Sequence, residues 1–407
     1  MKGRAQRAIA DCRRIAQMSE EPGRITRRFL TPPVQEVHKF LRSRMESLGM
    51  TVHIDAAGNL RGLWQPPGAH GKRLILGSHI DTVPDAGAFD GVLGVALALE
   101  WTRLAQELKL PLSIEIIAFS EEEGVRFGVP FLGSRAVAGR FDPALLVLKD
   151  ADGVTLAGAI RAFGQDPGKI GEAALDSEAL GFVEIHIEQG PVLESEGLSV
   201  AAVTAIVGQT RLMAEFRGQA NHSGTTPMRL RRDAFAGAAE WICAVESFAL
   251  QTEGLIATVG RIDAEPNAVN VIAGVARVSL DVRHADDSSR KTAVESLLAR
   301  ANAIAEKRGL SLEITRQMDQ PAVPMDERLT SHLANAIAAA GLPEKLMTSG
   351  AGHDAMVMAA RVPTAMLFLR SPGGISHHPD ESVLEEDVEA ALTVGRRFLQ
   401  RVAAEVG

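Results

Sequence analysis

RLILGSHIDTVPDAGAFDGVLGVALALEWTRLAQELKLPLSIEIIAFSEEE, residues 73–123, decides the fold. RLILGSHI (73–80) is a short apolar run of the kind that forms a buried strand, and LSIEIIAF (112–119) is a second. GVLGVALALEWTRLAQEL (91–108) lies between them and reads as a helix. Strand, helix and strand in succession are the building unit of a parallel α/β sheet.

Working outward, the pattern first continues and then changes. Upstream, VQEVHKFLRSRMESL (34–48) places Val34, Val37, Phe40, Leu41, Met45 and Leu48 at helical spacing. Downstream, FVEIHIEQ (182–189) reads as a third strand. Residues 208–218, 254–261 and 274–283 read as strands with alternating faces, and helices at 232–249 and 287–306 lie between them. That order gives a small sheet with helices on one face. After about residue 323 the first pattern returns, with helices at 328–340 and 384–404 and a strand at 364–369. MDQPAVPM (318–325) reads as the returning linker. The expected fold is α/β: a mostly parallel sheet with helices on both faces, made from residues 1–207 and 323–407. A smaller α+β domain, residues 208–322, is inserted in it.

The 407 residues are 46% hydrophobic and 23% charged, enough for a large core. A net charge of −8 speaks against a nucleic-acid partner. Cys12 and Cys243 form no CxxC pair, which excludes a thiolate zinc site and a disulfide framework and fits a reducing compartment. No run of 18 uncharged apolar residues points to a membrane. MKGRAQRAIADCRRIAQ (1–17) is basic, lacks the apolar core of a signal peptide and reads as an exposed or docking helix. A cytoplasmic location is the expectation. The chain has no tyrosine, so an oxyanion donor must be His, Arg, Asn, Ser, metal or backbone.

Chemistry collects where strands end. In GSHIDTVPDAGAFDG (77–91), His79 closes a strand and Asp81 follows two residues later. A carboxylate there can hold the second imidazole nitrogen of a metal-binding histidine. Ordinary capping aspartates are the other reading. FSEEEGVRFG (119–128) sets three glutamates at the end of the next strand. Adjacent carboxylates repel unless a cation lies among them. An exposed acidic corner is the bland account; one Glu ligating metal beside a neighbouring general base is the sharper one. GFVEIHIEQG (181–190) puts Phe182, Glu184, His186 and Glu188 on one strand face, and GGISHHPDES (373–382) offers His377 and His378. Neighbouring histidines in a strand point to opposite sides, so at most one would ligate. Together the segments can supply three His, one Glu and one shared Asp for two divalent ions. Ligation by His and carboxylate without thiolate suits Zn²⁺ or Mn²⁺.

The segments GSHIDTVPDAGAFDGVLG, AFSEEEGVRFG, FLGSRAVAG, HIEQGPVLE, GQANHSGTTPM, NAVNVIAG, LDVRHADD, SGAGHDAM and MLFLRSPGGISHHPDESV resemble the dinuclear amidohydrolases of the aminoacylase and carboxypeptidase superfamily. They span about residues 77–385 in that family's order, and look closest to its ureidohydrolase branch of allantoate and N-carbamoyl-L-amino-acid hydrolases. The resemblance implies His79, Asp90 and His186 as ligands of one metal. It implies Asp90, Glu123 and His377 as ligands of the other, with Asp90 bridging. Glu122 matches the general base and Asp81 the carboxylate behind His79. The inserted domain matches a lid that also dimerises. His222 matches a residue that polarises the scissile carbonyl. Asn270 and Arg283 match residues that hold a substrate carboxylate, Gln189 one that contacts substrate, and His353 one near it. Read without the family, Arg283 is a surface salt-bridge partner on a strand. Ser223 and Ala273 depart from the commoner Ala and Pro, and neither change removes a functional group.

The implied activity is metal-dependent hydrolysis of a ureido C–N bond in a small carboxylate-bearing molecule, allantoate first. N-carbamoyl-L-amino acids and N-carbamoyl-β-alanine come next. GQANHSGTTPM and HIEQGPVLE speak against a dipeptidase or aminoacylase. A non-catalytic protein on this scaffold would be expected to lack Glu122 or a ligand, and none is missing.

Overall fold

The structure is a computed structural model that describes residues 1–67, 73–176 and 179–406. The chain divides into two compact units, one of Met1–Thr204 with Met325–Gly407 and one of Ala205–Pro324. Periodicity places the joints at 207/208 and 322/323, where the strand pattern changes.

In the first unit the strands are β1 (Thr51–Ile54), β2 (Leu60–Trp64), β3 (Arg73–His79), β4 (Ser113–Phe119), β5 (Ala179–Ile187) and β6 (Val200–Ile206, whose last two residues belong to the second unit). The second unit adds β7 (Gly208–Arg217), β8 (Asn221–His222), β9 (Ile256–Thr258), β10 (Ile262–Glu265), β11 (Val271–Ile272), β12 (Val275–His284), β13 (Ser311–Gln320) and β14 (Val323–Pro324). The chain then completes the first unit with β15 (Leu346–Ser349) and β16 (Thr364–Leu369).

The first unit's sheet runs in the order β1-β2-β4-β3-β5-β16-β6. Its centre is parallel, through the pairs β4/β3, β3/β5 and β5/β16. Its flanks are antiparallel, through β1/β2, β2/β4 and β16/β6. The expectation of a mostly parallel sheet therefore holds at the centre and is corrected at the edges. Thr51–Ile54 and Leu60–Trp64 are short and mix in polar residues, whereas Val200–Ile206 is apolar but runs antiparallel to β16, a direction that periodicity does not reveal.

Helices cover both faces of this sheet. On one side Val92–Glu107 packs on β3 and β5, beside Glu385–Val406 and Lys2–Ala16. Gly94 makes the approach possible, because a Cβ there would stand 2.1 Å from the Ile185 carbonyl oxygen. The N-terminal helix docks through Ala5, Ala8, Ile9, Cys12 and Ile15. Arg4 and Arg7 hold the buried Glu100 at 3.1 and 2.9 Å. On the opposite face the short helices Leu132–Val137 and Asp354–Met358 pack together, and the second of them lies against β5 and β16.

The second unit is a small antiparallel sheet, β10-β12-β7-β13 with β9 also on β12. Its helices Ala234–Leu250 and Asp287–Arg308 cover a core built on Phe216, Trp241, Val278, Leu280 and Leu297. Of the strand expected over 254–261 only Ile256–Thr258 forms, and a further short strand, Ile262–Glu265, follows it. The strand Ser311–Gln320 has no counterpart in the sequence reading: only Leu312 and Ile314 alternate inward before polar residues take over. Most of the stretch read as a linker, 318–325, is strand at its two ends. Among the described residues no helix is long and apolar enough to cross a membrane.

Candidate metal centre

Strand register builds the centre. Gly77 pairs with Glu184 in the parallel β3/β5 ladder, so two residues later His79 and His186 leave adjacent strands side by side. Their rings stack with centroids 5.6 Å apart. In the neighbouring pair His79 lies opposite Phe119, so the Ser120–Glu123 turn starts at the same edge. Asp90 comes from the loop before the helix Val92–Glu107. Gly91 follows it at φ +65°, where a Cβ would stand 2.5 Å from His79 Nε2. Only glycine lets that turn lie against the imidazole.

Three imidazoles converge on the Asp90 carboxylate. His186 Nε2 lies 3.1 Å and His79 Nε2 3.6 Å from Oδ1. His377 Nε2 lies 3.1 Å from Oδ2 and 3.6 Å from Glu123 Oε1. Each oxygen of Asp90 thus serves a different set of partners. The tautomers follow from the other ring nitrogens. His186 Nδ1 donates to the Ile187 carbonyl at 2.9 Å, and His79 Nδ1 to the Asp81 carbonyl at 3.1 Å. Each Nε2 therefore faces the centre, where it donates to Asp90 when the ring is protonated and offers its lone pair to a metal ion when it is neutral.

Asp81 does two jobs. Its carboxylate lies 3.5 Å from His79 Nδ1. It also accepts the backbone N–H groups of Glu122 at 3.0 Å and Glu123 at 3.1 Å, which fixes the acidic turn. The turn is held from its other side by Asn59, unmentioned by any motif. Asn59 Oδ1 accepts Ser120 N–H at 3.0 Å, and its Nδ2 donates to the Gly133 carbonyl at 3.1 Å.

Electrostatics separates the carboxylates. Burial works against charge on Asp90, but hydrogen bonds from His186, His377 and His79 hold it well below the usual carboxylate range. Burial drives Glu122 well above that range, against the opposing pull of the His79 charge. Burial likewise pushes Glu123 up to about 7. Ligand atoms of His79, Asp90 and His186 lie within 4.8 Å of one another, as do those of Asp90, Glu123 and His377, and of His79, Glu122 and Glu123. Imidazole and carboxylate donors converging on one ionised aspartate fit a divalent metal, and no thiolate biases the choice towards a softer one.

The remaining expected residues fall in distinct places. Gln189, at φ +58°, aims Nε2 at Asp90 Oδ2 (3.2 Å) and Ser376 Oγ (3.2 Å). His353 is 1% exposed, edge-on to His186 at 4.5 Å, with Nε2 2.9 Å from Ser349 Oγ. That position braces His186 rather than facing outward. His378 is exposed and lies in a loop, 3.6 Å from Asp380, apart from the ligand groups. In the second unit, β8 and β11 pair His222 with Val271, and Ser223 N–H donates to the Asn270 carbonyl at 3.0 Å. This brings His222 and Asn270 together on one ribbon. Gly224 N–H donates to His222 Nδ1 at 3.1 Å, which leaves the ring proton on Nε2. Arg283 stands on β12 with Nε 2.9 Å from Asp281 Oδ1, so the salt bridge expected of a strand arginine is present.

The profile of Peptidase family M20/M25/M40 matches residues 75–401. The chain belongs to that family. It is therefore a metal-dependent hydrolase of C–N bonds, and the donor groups above are residues able to hold the metal. Among curated M20/M25/M40 relatives, an allantoate deiminase of Arabidopsis thaliana is 37% identical across 97% of this chain and 81% of its own. An N-carbamoyl-L-amino acid amidohydrolase of Geobacillus stearothermophilus is 36% identical across 93% and 94%. A solved amidase of the hydantoinase/carbamoylase family from Burkholderia multivorans superposes with a TM-score of 0.91 at 31% identity, covering 98% of both chains. The resemblance read from the motifs is thus the right branch of the superfamily.

Proposed function

We propose that the protein hydrolyses the ureido C–N bond of allantoate, giving ureidoglycine, CO2 and ammonia, with two divalent ions, Zn²⁺ or Mn²⁺, at the Asp90 centre. The carrying observation is the division of the Asp90 carboxylate between His79 with His186 on one oxygen and His377 on the other. Such a division suits a shared ligand: His79, Asp90 and His186 would hold one ion, and Asp90, Glu123 and His377 the second. When bound, such ions polarise the carbonyl and acidify the attacking water.

Glu122 takes the water proton as the new C–O bond forms, then delivers it to the nitrogen that departs as the C–N bond breaks. The carbamate released gives CO2 and ammonia. A base that burial holds well above the usual carboxylate range suits both transfers. His222, with its proton on Nε2, is a donor ready for the developing oxyanion. Arg283 and Asn270 bind the substrate carboxylate, the arginine through its planar fork, and Gln189 orients the substrate. Asp81 keeps His79 and the acidic turn in place, and His353 acts near the substrate through His186. The inserted unit serves as lid and as the interface of a homodimer in the cytoplasm.

N-carbamoyl-L-amino acids are the second reading, since they carry the same ureido group and carboxylate and a relative acting on them is nearly as similar. Ammonia release from the Mn²⁺- and Zn²⁺-loaded protein should be compared on allantoate, ureidoglycolate, N-carbamoyl-L-amino acids and N-carbamoyl-β-alanine. A kcat/KM higher for an N-carbamoyl amino acid than for allantoate overturns the substrate assignment. A monomer in sedimentation velocity overturns the dimer.

A further inference from the structure

One buried carboxylate outside the ligand set touches both arms of the second donor group. Glu381 is 5% exposed. Its Oε1 accepts the backbone N–H groups of Phe89 at 2.9 Å and Asp90 at 3.0 Å. Its Oε2 accepts the Ser376 hydroxyl at 3.1 Å. Its own N–H donates to the His378 carbonyl at 3.0 Å. His377 is thereby gripped at the residue before it and the residue after it. A Cβ on Gly87 would stand 2.3 Å from Glu381 Cβ, so the 87–90 segment lies close against this side chain.

We propose that Glu381 is a positioning residue that clips the Asp90 loop to the His377 loop and so sets the affinity of the metal position made by Asp90, Glu123 and His377. The inference rests on the two-ion reading above. Its logic is geometric. Asp90 and His377 are brought together from opposite ends of the first unit, and no ladder hydrogen bond joins their loops among the described pairings. Glu381 supplies that join, since its oxygens face three donors drawn from the two loops. With two N–H groups and one O–H converging, an acceptor-only carboxylate is the suited group. Glu381 does not ligate, because these contacts turn it to the backbone behind Asp90, and it falls in none of the donor groups. His79 and His186 are fixed instead by Asp81 and the β5 backbone. The clip holds both loops of the Asp90, Glu123 and His377 position and reaches the other position only through the shared Asp90, so the first position is the more sensitive.

Mn²⁺ titrated into the metal-free full chain, followed by calorimetry and by electron paramagnetic resonance, tests this. The unaltered protein should show two binding events. Fewer than two would sink the two-ion reading, and the proposal with it. Glu381→Ala should leave one event within about 3-fold and weaken the other about 10–100-fold, the usual effect of removing a residue that supports a ligand. Added Mn²⁺ should then restore its kcat, with KM unchanged. Glu381→Gln should bind both ions within about 3-fold of the unaltered protein, because its amide oxygen can take both N–H groups while its NH2 reaches Ser376. Ser376→Ala removes one strand of the clip and should weaken the same event by a smaller factor; it carries the test if Glu381→Ala does not fold. Two unchanged events in Glu381→Ala overturn the proposal, or two unchanged events in Ser376→Ala where it stands in. Equal weakening in Glu381→Ala and Glu381→Gln also overturns it, since charge alone would then matter.

Discussion

The Asp90 centre and the His222 ribbon are built on opposite principles. His79, Asp90 and His186 are 2%, 3% and 1% exposed, and their free atoms are aimed by buried backbone and carboxylate partners. His222 and Asn270 are exposed, on a two-residue ribbon held by a few local hydrogen bonds. A cation site must be pre-organised, because carboxylates gathered without an ion repel one another. The oxyanion role proposed for His222 needs access to substrate, and only the proton has to be placed beforehand. Arg231 does some of that placing, bonding the Thr226 and Ser223 carbonyls on the turn beyond His222.

The division predicts that activity and metal content will separate by region. The largest effect is expected in the centre itself. Glu122→Gln should lower kcat by about 10³-fold or more while both ions stay bound, measured by ammonia release alongside metal analysis. Turnover near normal would remove Glu122 from its role. Next comes the ribbon: His222→Ala should cost about 10²–10³-fold in kcat, the scale of losing one oxyanion donor, with metal content unchanged. If its metal content fell as well, the contrast between the two regions would be wrong. Arg283→Lys should act mainly on KM, by about 10-fold, because an ammonium cannot grip a carboxylate in two places. A change confined to kcat would instead place Arg283 with the reacting atoms.

The smallest effect concerns stability and sharpens the contrast between the two cores. His38 is buried against Phe163 in the first unit, and burial pushes its pKa down to about 3. A depressed histidine contributes stability that is whole above its unfolded pKa near 6.5 and is lost as pH falls towards 3. The slope is at most about 1.4 kcal/mol per pH unit. His38→Leu should flatten the decline in urea midpoint between about pH 6 and 4. An unchanged slope would show that His38 is not the group responsible.

How much was legible in the sequence varies with the kind of order involved. The parallel centre, β3, β4, β5 and β16, was visible because strands buried on both faces must be continuously apolar. The candidate donors His79, Glu123 and His186 were visible because they sit at or just beyond the ends of those strands, and Asp90 and His377 through the resemblance of their segments. Thr51–Ile54 at the edge of the first unit's sheet and Ser311–Gln320 at the edge of the second unit's were not, since each buries only part of one face and mixes polar residues into it. Asn59, Ser376 and Glu381 were passed over for a related reason. Each is an ordinary polar residue in a loop, and its importance lies in hydrogen bonds to segments remote along the chain, such as the pairing of Glu381 with Asp90.

By itself, then, the sequence determined the fold class, the branch of the superfamily and the chemical types of the donors, because periodicity and local motifs are properties of neighbouring residues. Tertiary structure alone decided which oxygen of Asp90 meets which histidine, that Asp81 serves the acidic turn as well as His79, and that His353 lies behind His186. Those are distances between atoms carried by different strands and loops, and only the register of a folded sheet sets them.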